Sequence, residues 1–264
     1  MKYFKNTAFV PNGEGWPGKA KEYNSGYEYP SGGIDQEINY FLTLAMESAK
    51  VVADNISLVE NNGVLQQTLE DVVNPYFDMF GAEDMSSYSE VLLWRQYSKG
   101  LGVCHGVVQM AQLGNDGVGA TRGMVNTFLM SNGLPIYNTA SGYKGDDEIA
   151  QVRENRDNRL WLFLKEPGQV NILYDSPENT HGTIIEPVPD ITNGSAGWSY
   201  STGYTLRKGN NLDGKHCGNF LGYTGSIIFR AAEAYLNYIE ACYEKTGTVD
   251  NIADSYWRKL RSVR

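Results

Sequence analysis

The sequence predicts a mostly α-helical protein in which tetratricopeptide-like helical hairpins carry long irregular loops and a few short strands. Three observations lead there. An apolar stripe at helical spacing opens at Ile34, and two adjoining amphipathic segments, 230–245 and 251–264, close the chain. Between them lie long stretches dense in Gly, Asn, Pro and aromatic residues.

The first helix follows a loop, residues 11–33, rich in Gly, Pro, Asn and Tyr. Ile34, Ile38, Phe41, Ala45, Ala49, Val52, Ile56 and Val59 then recur at three- and four-residue steps, and Asn61-Asn62-Gly63 supplies the stop. A second helical stretch carries Leu65, Leu69, Val72, Tyr76 and Phe80, interrupted at Asn74-Pro75, where Asn74 can cap and Pro75 can open a fresh first turn. The two stretches together predict a helical hairpin.

Residues 88–97 and 103–110 read as strands, and Thr121 caps a helix through Leu129 that ends at Ser131-Asn132-Gly133. Residues 146–161 read as a helix with an acidic start, passing into a strand that stops at Pro167-Gly168. Residues 175–226 form a loop-rich insert within a single domain spanning 1–264. In the closing pair, Ala231, Ala234, Tyr235, Tyr238, Ile239 and Cys242 share one face, Gly247 is the stop and Asp250 the next cap. Ile252, Tyr256, Leu260 and Val263 face them.

Composition narrows the function. With 41% hydrophobic and 20% charged residues the chain is globular rather than disordered. A net charge of -9 without a basic stripe argues against nucleic acid, because neutralising phosphates needs clustered cations. The one dense basic cluster, Arg258, Lys259, Arg261 and Arg264, sits at a helix C-terminus, where it complements the dipole. Three widely spaced cysteines make no disulfide framework. No apolar run reaches the roughly 18 residues of a membrane span, and no apolar stretch follows the basic start to make a secretory signal.

At the closing helices the residues resemble a known family. RAAEAYLNYIEACYEKTG is similar to the Arg-x-Ala-Glu-x-x-Leu-x-x-Ala-Glu-Ala helix of SusD/RagB-type proteins, with Arg230, Ala232, Glu233, Leu236, Glu240 and Ala241 in place and Ile239 departing from the usual Ala. WRKLRSVR resembles the arginine-rich helix that follows it. Upstream and in the family's order come ATRGMVNTFLMSNGLPI, NRDNRLWLFLKEPG and STGYTLRKG. They resemble its Pro-Thr-x-x-Leu-Val-Asp-x-Phe, Arg-Asp-Pro-Arg-Leu and Gly-Tyr-x-x-x-Lys segments, with Ala120, Asn126, Asn132 and Asn158 as departures.

The resemblance implies a surface lipoprotein of Bacteroidota on the outer face of the outer membrane. Such a protein binds a glycan, or sometimes a peptide, and acts as the lid of a SusC-like TonB-dependent transporter. It implies no nucleic-acid partner and no cofactor, and membrane association only through a lipid anchor outside this chain. Family members are about twice as long, so the chain is expected to be truncated at both ends.

Sugar rings present apolar C–H faces beside hydroxyls, so a glycan site needs flat aromatic rings next to amides, carboxylates or Arg. Trp198 and Tyr200 in GSAGWSYSTGYTLRKGNN are the first candidates, with Trp16 and Tyr27 of the opening loop the second; the competing reading pins these rings onto the helical frame. Tyr204, inside the strand-like motif, reads as structural. Cys104-His105 and His216-Cys217 lack zinc spacing, and Asp146-Asp147-Glu148 lacks the alternating ligands of a calcium loop, so no metal site is assigned. No Gly-x-Ser-x-Gly, His-Glu-x-x-His or phosphate-loop pattern occurs, and no catalytic residue is nominated. The rival from another class is a glycoside hydrolase relative using loop carboxylates.

Overall fold

A computed structural model of the chain describes residues 15–18, 20–113, 119–174, 183–189, 191 and 202–262. Its elements are, in chain order, α1 (Ile34–Asn55), α2 (Pro75–Gly81), β1 (Val91–Arg95), α3 (Val107–Leu113), α4 (Arg122–Thr127), α5 (Ile149–Arg153), α6 (Asn158–Phe163), β2 (Val170–Ile172), β3 (Ile184–Ile185), β4 (Ser226–Arg230), α7 (Ala231–Thr246) and α8 (Asn251–Ser262). The fold is mostly helical, as the periodicities require. None of the described helices is long and apolar enough to cross a membrane. Contacts divide the chain into two compact units, one made of residues up to Leu58 with Arg230–Ser262, the other of Val59–Phe229.

In the first unit α7 packs on both α1 and α8. Ala49 and Ala53 of α1, Ala231 of α7 and Ala253 of α8 are buried, and their small side chains let the helix axes approach. The remaining space is filled by Tyr235, Tyr238 and Tyr256, whose rings meet edge to face at 5.1 Å between centroids. Each buried hydroxyl has an acceptor: Tyr235 donates to Ile56 O at 2.8 Å, Tyr238 to Asp250 Oδ2 at 3.1 Å and Tyr256 to Asp54 Oδ1 at 2.5 Å. Leu236 and Tyr243, off the predicted face, are exposed.

The ends of these helices are set locally. Gly247 takes φ 72°, the left-handed turn that suits glycine, and its N–H closes on Tyr243 O at 2.8 Å. Asp250 Oδ1 accepts from Ala253 N at 2.7 Å, the cap expected of it and a contribution of about 1 kcal/mol. The stripe from Ile34 overruns its helix. α1 stops at Asn55 because the Ile56 carbonyl is taken by Tyr235, and Val59 N–H is taken by Glu90 Oε2 at 2.5 Å. The partner of α1 in a hairpin arrangement is α7; the 65–80 segment belongs to the second unit.

In the second unit, residues 65–73 are not helical. Gln67 and Thr68 N–H both donate to Asp71 Oδ2 at 2.8 Å, and Asn74 Nδ2 donates to Asn61 Oδ1 and Val64 O. These side chains offer the backbone an alternative to the helix ladder. Helix starts only at Pro75, with Asn74 Oδ1 accepting from Tyr76 N at 3.1 Å. Tyr76, Phe77 and Met79 then join Leu162, Phe163 and Leu212 in a core cluster.

β1 pairs with β4, so the strand expected within 88–97 forms. The one expected over 103–110 does not: Val103 and His105 make only isolated bridges, and residues 107–110 open α3. The predicted helix over 146–161 is two short helices broken at Asn155, which sits at φ 52°. Its predicted strand follows Pro167-Gly168 instead of preceding it: β2 pairs antiparallel with β3, Val170 opposite Ile185.

Arg156 and Asp157 cause that break. The fully buried Arg156 guanidinium donates to Val152 O at 3.2 Å, Val125 O at 2.7 Å and Phe128 O at 2.8 Å, satisfying carbonyls at the ends of α4 and α5. Asp157 caps α6 through Arg159 N at 3.0 Å and holds the Arg159 guanidinium at 2.7 Å.

A candidate ligand cleft in the second unit

The second unit contains a cleft of about 730 Å³. Its walls come from chain segments far apart in sequence: Arg122 at the start of α4, residues 146–150 entering α5, Glu166 and Pro167 before β2, Val188, Pro189 and Ile191 after β3, and Thr202 to Tyr204.

Tyr204 is the aromatic wall. Its backbone carbonyl accepts from Ala120 N at 2.7 Å, and its N–H donates to Thr202 Oγ1 at 3.3 Å. Gly119 is needed here, because a Cβ on it would overlap Thr202 Oγ1. The next residues continue in strand-like fashion: Lys165 N donates to Thr205 O at 2.9 Å and Arg207 N to Phe163 O at 2.8 Å, around an antiparallel bridge of Leu164 to Leu206. The Tyr204 backbone is therefore held on both sides, and its side chain packs against the buried cluster of Ala120, Val125, Val152, Leu160 and Leu164.

The polar wall is mainly carboxylate. Arg122 pairs with Asp146, and Glu166 pairs with Arg153. Arg153 is buried, also donates to Trp161 O, and lies over the Trp161 ring at 5.3 Å. Burial pulls its pKa below the usual guanidinium value, with Glu166 opposing. Glu148 N donates to Gln151 Oε1 at 3.3 Å, which fixes the first turn of α5 at the cleft edge. Asp147 is exposed and has no ion pair among the described residues.

Next to Glu166, along β2 and β3, lies a fully buried polar cluster. Lys165 Nζ stands 3.0 Å from Glu186 Oε2 and also bonds Ala111 O. Glu186 further accepts from Thr205 Oγ1 at 2.8 Å and from Asn171. Burial lowers the Lys165 ammonium to about 8 against the opposing pull of Glu186. The equally buried Arg207 bonds Gln169, while its Nε and Nη1 find no partner among the described residues. Burial first, and Arg153 second, push it down to about 9.

Of the aromatic candidates, Trp198 and Tyr200 lie outside the described residues. Trp16 and Tyr27 belong to the first unit, whereas the cleft belongs to the second. The Trp16 ring lies over Gly18, where a Cβ would stand 2.6 Å from it, and the exposed Tyr27 ring meets Tyr29 edge-on at 5.3 Å. Tyr204, read as structural, packs against the buried cluster of Ala120, Val125, Val152, Leu160 and Leu164 and also lines the cleft. The Gly-Tyr pair within STGYTLRKG was its available signal.

The Cys and His pairs are occupied by protein. His105 Nε2 faces Thr224 O at 2.8 Å while its Nδ1 accepts from Val107 N at 3.2 Å. His216 Nε2 lies 3.1 Å from Glu83 Oε1, and Cys217 bonds Gln112. Among the described residues no group of three or more His, Cys, Asp or Glu is arranged to hold a metal ion.

The fold is that of a mostly helical protein with a few short strands, and the comparisons give its family. The chain belongs to the SusD family, whose sequence pattern matches residues 84–262. It is similar in fold to a SusD-like protein of Bacteroides fragilis, at 20% identity and TM-score 0.56, covering 86% of this chain and 44% of that one. It is also similar to a SusD-like carbohydrate binding protein of the same organism, at 14% identity and TM-score 0.52, covering 99% of this chain and 49% of that one. The chain thus spans about half the length of these solved structures. No curated protein matches it.

Proposed function

We propose that the chain is a non-catalytic glycan-binding protein that takes an oligo- or polysaccharide into the second-unit cleft. It passes the glycan to a SusC-like TonB-dependent transporter at the outer face of the outer membrane. The observation that carries this reading is the cleft itself, in a SusD-family chain: Tyr204, the apolar residues Val188, Pro189 and Ile191, and four carboxylates line it. That pairing of an aromatic face with hydrogen-bonding oxygens suits a sugar ring. Trp198 and Tyr200 are proposed to add further ring faces, which is supported by the cleft positions of Ile191 and Thr202 on either side of them in sequence.

Isothermal titration against a panel of oligosaccharides and peptides tests the reading, with the reaction mixtures analysed for shortened products. Saturable binding of a glycan without cleavage is expected, and Tyr204→Ala is expected to weaken it about tenfold. Trp198→Ala with unchanged affinity would remove Trp198 from the site. Shortened products would replace binding by hydrolysis.

A further inference from the structure

Resting on the glycan-binding reading, we infer that the cleft selects by charge: it admits neutral or amino-sugar glycans and rejects uronate- or sulfate-bearing ones. Four carboxylates, Asp146, Asp147, Glu148 and Glu166, line it, against a single lining cation, Arg122. Arg122 is already committed to Asp146, and Glu166 to the buried Arg153. Counting Arg153 with the cleft, four negative and two positive charges leave a balance of -2.

The buried Arg207, on which Arg153 and Glu166 both act, stands behind this wall without lining the cleft and takes the balance to -1. An anionic sugar entering beside Tyr204 would have to shed water from its charge and meet like charge in return. A neutral sugar has only to place hydroxyl donors on the free carboxylate oxygens, which accept charge-assisted bonds. An ammonium on an amino sugar gains further from unpaired Asp147.

The test is a printed array of neutral, amino-sugar, uronate and sulfated oligosaccharides, followed by titration of each bound glycan and its uronate-bearing counterpart. Wild-type protein is expected to bind the neutral member at least tenfold more tightly at low salt. That gap should narrow in high salt, where the charges are screened. The double variant Asp147→Asn, Glu148→Gln should narrow the ratio of the two affinities at low salt, even where the neutral glycan also loses hydroxyl contacts to these carboxylates. A uronate or sulfated glycan bound as tightly as its neutral counterpart overturns charge selection and leaves glycan binding standing. A gap unmoved by both salt and the double variant overturns it too. Binding of no glycan on the array overturns the inference together with the reading beneath it.

Discussion

Lys165 Nζ and Glu186 Oε2 meet at 3.0 Å with both side chains removed from water. An ion pair this deep costs desolvation on both sides, so its value lies in neither charge being left alone. Glu186→Gln is therefore expected to destabilise the protein by about 3–5 kcal/mol in urea denaturation. Lys165→Met combined with Glu186→Gln should lose at least about 1 kcal/mol less than the two single losses added together. Simple additivity would show that the pair does not act as one.

Gly81, at the end of α2, faces the backbone carbonyl of Asn210, and a Cβ there would overlap that oxygen. Backbone cannot rotate away as a side chain can. Gly81→Ala should cost about 1–3 kcal/mol, whereas Gly123→Ala, whose nearest neighbour would be 3.9 Å off, should be neutral or stabilising. Thermal denaturation of the two variants checks the contrast.

Arg156 closes three carbonyls that belong to α4, α5 and the residue after α4. Arg156→Met keeps the volume but strands those acceptors, and a loss of about 3 kcal/mol or more is expected. Arg156→Lys should recover only part of it, because one ammonium cannot reach the spread of a planar guanidinium. Full rescue by Lys would show that charge alone matters.

The Cys217 thiol is held at about 12 by burial, against 9.0 for the free group. The folded state keeps a proton that the unfolded state gives up above pH 9, so this contribution is complete below pH 9 and is lost as pH rises toward 12. Lys165 has the opposite sign, since its folded form releases a proton first, and it raises stability between about 8 and 10.5. Subtracting the Cys217→Ala curve from wild type removes the Lys165 contribution except for the smaller part that Cys217 itself supplies. The difference should stay flat to pH 9 and then decline; parallel curves to pH 11.5 would contradict it.

How far the fold can be read ahead of the structure depends on how local its causes are. The α7–α8 pair was legible because its apolar positions lie within the helices, and the Gly247 stop and the Asp250 cap lie directly beside the ends they define. Residues 65–73 were not, because Asp71, Asn74 and Asn61 hold the backbone through side-chain bonds that no periodicity records. The short helices α5 and α6 were hidden for the same reason: Arg156 reaches 31 residues back to the Val125 carbonyl. The cleft was the least legible part. Its walls come from five separated segments, and nothing in the sequence around Tyr204 says that a tyrosine packed on a core cluster also lines a cleft.

The pairing of α1 with α7 places the two halves of one core at opposite ends of the described chain, with all of Val59–Phe229 between them. On a ribosome α1 emerges early, yet its partner follows only after the whole second unit has been made. Its apolar stripe must wait, bare, for a contact of very high sequence separation. The second unit can assemble during that interval, and the first can be completed only once α7 and α8 have been made. Removing α7 and α8 should therefore be felt first at α1, on the far side of the second unit in sequence.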